Sequence, residues 1–84
     1  MRRLIMKDGT QLEGGEAGTN AGVLWLTLPG MTMQEAAAIL FDPKKTGTIW
    51  FQYGEDEDEY KGYTNVTAMT AEDGGISASL RKGA

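Results

Sequence analysis

The chain contains neither cysteine nor histidine. No disulfide can staple it, no thiolate can hold a metal, and nothing in it marks an oxidising compartment. The commonest metal ligand is missing, and with it the side chain best suited to proton transfer near neutral pH. Ser77 and Ser79 therefore have no imidazole to activate them, and no Gly-x-Ser-x-Gly elbow presents a nucleophile. They alternate with Ile76, Ala78 and Leu80, as the outward side of a strand does. The glycine pairs lack the spacing of a Walker or dinucleotide loop, so no cofactor or phosphate site is expected. Composition leaves one enzymatic route, a carboxylate pair acting on a glycoside, but no acid sits in an apolar stretch that would raise its pKa. Long hydrophobic runs are also absent. Leu4-Ile5-Met6 is too short for a signal peptide and no segment has the length to span a bilayer, so no membrane partner is expected.

Eighty-four residues make one small domain, 1–84. A chain of this size buries only about 60–65% of the surface that its unfolded form exposes, so support from a partner or a second copy is a natural expectation. The net charge of −4 is not spread evenly. Five consecutive acids, Glu55 to Glu59, carry it, and the rest of the chain is close to neutral. Basic residues cluster at the ends and at Lys44-Lys45 and form no stripe with interleaved aromatics, which argues against nucleic acid.

The N-terminal segment predicts a hairpin over Arg3–Glu13. A three-residue loop, Lys7-Asp8-Gly9, pairs Met6 with Thr10 and Leu4 with Leu12, gathers the apolar side chains on one face, and puts glycine where positive φ is needed. Residues 14–22 (GGEAGTNAG) are glycine-rich and small, and are expected to form a mobile loop in which Gly18 tolerates substitution. Val23–Leu28 alternates, with Leu24, Leu26 and Leu28 on one side, and Pro29-Gly30 ends the strand. Thr32-Met-Gln-Glu35 is a capping box opening a helix from Met33 to about Phe41, stopped by Asp42-Pro43. Such a helix must be docked to persist, by a stripe of Met33, Ala36, Ala37 and Leu40.

Thr48–Tyr53 and Tyr60 onward predict two strands joined by a solvated acidic tip at Glu55–Glu59, with a weak cation or basic-partner site as the alternative. Pairing Tyr53 with Tyr60 sets Trp50 across from Tyr63 and Phe51 across from Gly62. A last hairpin about Asp73-Gly74 aligns Ala71 with Ile76, Met69 with Ala78 and Thr67 with Leu80. Strict alternation then puts Trp50, Tyr63, Met69, Ile76 and Leu80 on one face but Ile49, Phe51 and Val66 on the other. Either a bulge near Thr64–Ala68 switches faces, or both faces are apolar and another chain covers one of them. Trp25, Trp50, Tyr53, Tyr60 and Tyr63 fill a core as cross-strand pairs or form a stacking platform for sugar rings. Trp50, Tyr53, Tyr60 and Tyr63 are the candidate partner-binding residues, with Trp50 first because Ile49 and Phe51 compete for the inward face.

The order of motifs also carries a resemblance. Asp8-Gly9-Thr10, an apolar strand, Gly30-Met-Thr32 opening a short helix, Phe41-Asp42-Pro43, Ile49, and Gly62-Tyr63-Thr64 before a final hairpin resemble small proteins encoded near the tail and lysis genes of phages and prophages of Firmicutes. The resemblance implies a virion or assembly accessory protein, made in the bacterial cytoplasm and carried into the virion, with no catalytic residues to transfer. The expected fold is α+β: a mainly antiparallel sheet of about five strands with one short helix, curled toward a barrel or a small sandwich. The expected function is non-enzymatic, through contacts with a second copy or another virion protein. The alternative is a carbohydrate-binding module for cell-wall glycan.

Overall fold

Leucines at every second position of Val23–Pro29 are fully buried while Trp25 and Pro29 face out, so the strand presents one continuous apolar edge to the interior. The computed structural model describes residues 1–83 and builds seven strands and one helix around that interior. These are β1 (Arg2–Ile5), β2 (Gln11–Glu13), β3 (Glu16–Asn20), β4 (Val23–Pro29), α1 (Met33–Leu40), β5 (Gly47–Tyr53), β6 (Asp56–Glu72) and β7 (Gly75–Lys82). All pairings are antiparallel, in the order β2-β1-β5-β6-β7-β4-β3. The α+β class stands. The strand number does not, for there are seven rather than about five.

The two ends of that order, β2 and β3, are consecutive in the chain and joined only by Gly14-Gly15. The sheet is open, for among the described residues no ladder joins β2 to β3, but this short link keeps its two ends near each other. At the link the Gly14 amide donates to the Arg2 carbonyl (2.8 Å), and the Arg2 guanidinium reaches Glu16 on β3 (3.1 Å). Gly15 is needed there for space, since a Cβ would lie 2.9 Å from the buried Leu4 side chain.

β3 overturns the expectation of a mobile loop over 14–22. Glu16–Asn20 pairs residue for residue with β4, and Ala17 is buried opposite Leu26. Gly18 lies opposite Trp25, whose ring covers the bare backbone. A Cβ there would come within 2.7 Å of the indole Cε2. A glycine that weakens a strand by lacking a side chain is thus shielded by its cross-strand aromatic neighbour. Gly18→Val is expected to expel the indole and destabilise by about 1–3 kcal/mol, the usual range for overpacking. In a Trp50→Phe background, Trp25 emission should shift to the red. Unchanged melting and emission would contradict this placement.

The β3–β4 turn is Ala21-Gly22 with φ of 52° and 80°, a type I′ geometry in which alanine occupies the left-handed region. Asparagine tolerates that region better. Ala21→Asn should raise stability by about 0.5–1 kcal/mol, read as a higher midpoint in urea with an unchanged slope.

The first hairpin has the expected register. Leu4 pairs with Leu12, the Met6 amide donates to the Thr10 carbonyl (2.8 Å), and Gly9 has φ of 92°. Its loop is tied to the chain after the helix. Lys45 Nζ donates to Asp8 Oδ2 (2.7 Å) and Thr10 Oγ1 (2.9 Å), and Thr10 donates to Asp8 Oδ1 from both its hydroxyl (2.7 Å) and its amide (3.0 Å). The Lys45 bond, then the Thr10 bonds, hold the Asp8 carboxyl well below the ordinary carboxylate range. This contribution to stability is present at neutral pH and fades as pH falls below about 4, where the unfolded carboxyl takes up its proton.

α1 starts as the sequence predicts: the Glu35 amide donates to Thr32 Oγ1 (3.2 Å) and the Thr32 amide donates to Glu35 Oε1 (3.0 Å). Ala36 and Leu40 are buried, with Ile39 packed beside them. Met33, expected in the buried stripe, is exposed instead, and so is Phe41 at the C-terminal cap, at 65%. The helix therefore docks by its second half only.

The conflict between sheet faces is resolved within β6. Its register against β7 shifts between Tyr63 and Asn65 and again between Val66 and Ala68. Each extra residue turns the following side chains to the other face. Val66, rather than Thr67, then meets Leu80, while Ala71–Ile76 and Met69–Ala78 pair as expected. Ile49, Tyr63, Val66, Ile76 and Leu80 accordingly contribute to one core.

Candidate interaction site

Four of the five acids, Asp56 to Glu59, lie on a strand rather than in a loop, with Glu55 in the turn, and all five are exposed as expected. The turn between β5 and β6 is the two-residue Gly54-Glu55, with positive φ at Gly54 alone (62°), the geometry of a type II′ turn. It sets Tyr53 opposite Asp56, Gln52 opposite Glu57, Phe51 opposite Asp58, Trp50 opposite Glu59 and Ile49 opposite Tyr60. The expected pairs Tyr53–Tyr60, Trp50–Tyr63 and Phe51–Gly62 are not formed. The register that occurs costs little electrostatically. Alternation sends Glu57 and Glu59 to one face and Asp56 and Asp58 to the other, and β5 supplies each central carboxylate with a donor.

Gln52 Nε2 donates to Glu57 Oε2 (2.7 Å), the Tyr53 hydroxyl donates to Asp58 Oδ2 (3.1 Å), and Trp50 Nε1 donates to Glu59 Oε2 (2.9 Å). Lys61 Nζ lies 3.4 Å from the other oxygen of Glu59. Charge-assisted bonds of this kind offset the repulsion between neighbouring acids. The Asp58 bond, followed by desolvation, raises the Tyr53 phenol above its ordinary value. The Tyr60 phenol is raised too, chiefly by burial.

The four candidate partner-binding residues are not assembled into one platform. Trp50 lies half-buried on the outer face, in a row with Ile5 and Glu59. Tyr53, Tyr60 and Tyr63 belong to the opposite face. Tyr53 packs on Phe51 with ring centroids 4.8 Å apart. Tyr60 meets Tyr63 edge to face at 6.5 Å, and Tyr63, only 9% exposed, is a core residue with Lys82 Nζ 5.6 Å from its ring centre. Sequence reasoning missed Glu59 as the partner of Trp50, Asp58 as the partner of Tyr53, and the Gln52–Glu57 pair beside them. Gly54 followed by any residue is the turn signal that points to them. Trp25, 39% exposed above Gly18, is the other aromatic surface.

Beyond the ribbon, a shallow cleft of about 200 Å³ where β4 meets the β6–β7 turn carries Glu16, Glu72 and Asp73 beside Pro29 and Ile76. Glu72 and Asp73 are exposed to water, without the apolar enclosure that acid catalysis by a carboxyl needs. Among the described residues no group of three or more acids is placed to hold a metal ion, and no helix is long and apolar enough to cross a membrane. In comparisons with protein-family models, curated proteins and solved structures, none matches this chain.

Proposed function

We propose that the chain is a small non-enzymatic interaction protein that acts through its β5–β6 ribbon, as a tail or assembly accessory protein of phage or prophage origin. The observation that carries this reading is Trp50. Its indole is held on the outer face by its own bond to Glu59, half-buried on an otherwise polar surface beside Ile5. A rigid, partly exposed aromatic with a satisfied polar edge is the kind of residue that anchors protein contacts. The phage origin rests on the motif resemblance alone, and on it the partner is a second copy or another virion protein. The nearness of β2 and β3 is read as an open sheet curled toward a small barrel, its two ends linked at Gly14-Gly15.

Light scattering at tens of micromolar is expected to show a dimer or larger, and Trp50→Lys should weaken that association without loss of the circular dichroism of the fold. A monomer at every concentration, with no change in its contacts to co-expressed virion proteins on Trp50→Lys, would overturn the reading. The carbohydrate alternative draws support from Trp25 rather than from Trp50 and the tyrosines, because the Trp25 ring is laid over Gly18 and partly open to solvent. Titration with soluble cell-wall glycan would then quench Trp25 and lose its effect in Trp25→Ala.

A further inference from the structure

We infer that the outer edge of β6 from Asp56 to Lys61 accepts an added strand, and that the strand it accepts is an extended basic segment of another protein. The inference rests on the reading of the β5–β6 ribbon as the contact surface and adds a partner for its free edge, separate from any association through the Trp50 face. β7 pairs with β6 only from Tyr63 onward, and the Gly83 amide, donating to the Gly62 carbonyl (2.9 Å), marks the last bond on that side. Upstream of this point, among the described residues, β6 has β5 on one side and no strand on the other.

The two-residue turn makes Tyr53–Asp56 a mutually bonded pair, so the alternation of an antiparallel ladder directs the Asp56, Asp58 and Tyr60 backbone toward β5. The amides and carbonyls of Glu57 and Glu59 point the other way, into the open. The open stretch is roughly 20 Å long, enough for a strand of five or six residues. Pairing an extended peptide to such an edge is a recurrent mode of recognition, in which the backbone gives affinity and the side-chain rows give selectivity.

The side-chain rows select the occupant. Glu57 and Glu59 line one face of the edge, Asp56 and Asp58 the other, and all four are exposed. Glu57 and Asp58 each keep one carboxylate oxygen clear of the bonds from β5. A second copy presenting the same edge would set acid against acid, which is unfavourable for directly opposed side chains. The same acids that deter self-pairing favour lysine or arginine at alternate positions of a foreign strand.

The test uses the full chain, labelled for NMR, and three blocked six-residue peptides: alternating Lys and Val, alternating Glu and Val, and alternating Lys and Gly. The Lys/Val peptide is expected to shift the Glu57 and Glu59 amides and protect them from exchange. The Glu/Val peptide should do neither, and the Lys/Gly peptide, equal in charge but a poor strand former, should bind at least about tenfold more weakly. Glu57→Lys with Glu59→Lys should weaken Lys/Val binding by at least about tenfold. Glu57→Pro, which removes an edge donor while sparing those directed at β5, should abolish protection at Glu59. Equal binding of the Lys/Gly and Lys/Val peptides without amide protection would reduce the edge to a diffuse negative patch and overturn the inference, as would no peptide effect at millimolar concentration. If Trp50→Lys still changes association in that case, the contact role of the ribbon survives while its proposed partner does not.

Discussion

Gly75→Ala should be among the most damaging additions of a single methyl group to this protein. Gly75 opens β7 directly opposite Pro29, and a Cβ there would meet the Leu28 carbonyl oxygen, lie 2.8 Å from the Pro29 Cα and 3.1 Å from the Leu28 carbonyl carbon. All three are backbone atoms, so no rotamer change can relieve the clash. The β4–β7 ladder must part at its end or the β6–β7 turn must be rebuilt. A loss of about 2–4 kcal/mol is expected, the upper range for forcing atoms into a closed site. The adjacent Gly74 supplies the control. Its φ of 83° makes any side chain strained, but a Cβ there meets nothing within 4 Å. Gly74→Ala should cost about 1–2 kcal/mol, the penalty of the left-handed conformation alone. Urea denaturation followed by circular dichroism separates the two. Equal losses would mean that strain at the turn, not the closeness of β4, governs this corner.

Leu80→Ala should cost about 3 kcal/mol. Leu80 is fully buried on β7, between Leu24 of β4 and Val66 of β6. Leu24 is held by ladders on both sides, so β4 cannot shift rigidly to close the cavity left by truncation. A domain of this size has only about 4–12 kcal/mol of stability, so the variant should melt well below the parent. Ser79→Ala, one residue away on the outer face, should stay within about 0.5 kcal/mol of it. A small effect at Leu80 would show that α1 or β6 can move inward to fill the space.

The features legible in the sequence are those fixed by nearest neighbours. Thr32 and Glu35 cap the helix they predict, Gly9 closes the three-residue loop, Leu24, Leu26 and Leu28 point inward, and Asp73-Gly74 sets the last hairpin in register as far as Met69. A bulge in β6 was one of the two ways out of the conflict over faces, and the chain takes it twice. What could not be read depends on groups distant in the sequence or on competition between local signals. β3 exists because Trp25 covers Gly18 and Leu26 receives Ala17, and the composition of residues 14–22 contains neither. At the candidate site, five adjacent acids look like a loop until Gln52, Tyr53 and Trp50 are set opposite them. Trp50 was placed outward from its neighbours alone, whereas the inward turn of Tyr63 follows from the irregularity just before it, where Thr48 pairs with Lys61 but Gly47 with Tyr63 and Gly62 is the extra residue.

The strand order also dictates how the chain must assemble in time. Four of the six ladders, β1–β2, β3–β4, β5–β6 and β6–β7, join neighbours in sequence and can zip from a turn. Hairpins of that kind form in about 1–10 μs. The other two, β1–β5 and β4–β7, pair segments more than forty residues apart, such as Leu4 with Phe51 and Leu28 with Ile76. These two seams carry most of the entropy of loop closure, and β1–β2 and β3–β4 swing into them from a common pivot at Gly14-Gly15. Folding should therefore be slow for so small a chain, in milliseconds or longer, with the hairpins preformed and the seams rate-limiting. Stiffening the pivot would change the rate at which the two N-terminal arms find their places more than the stability of the finished sheet.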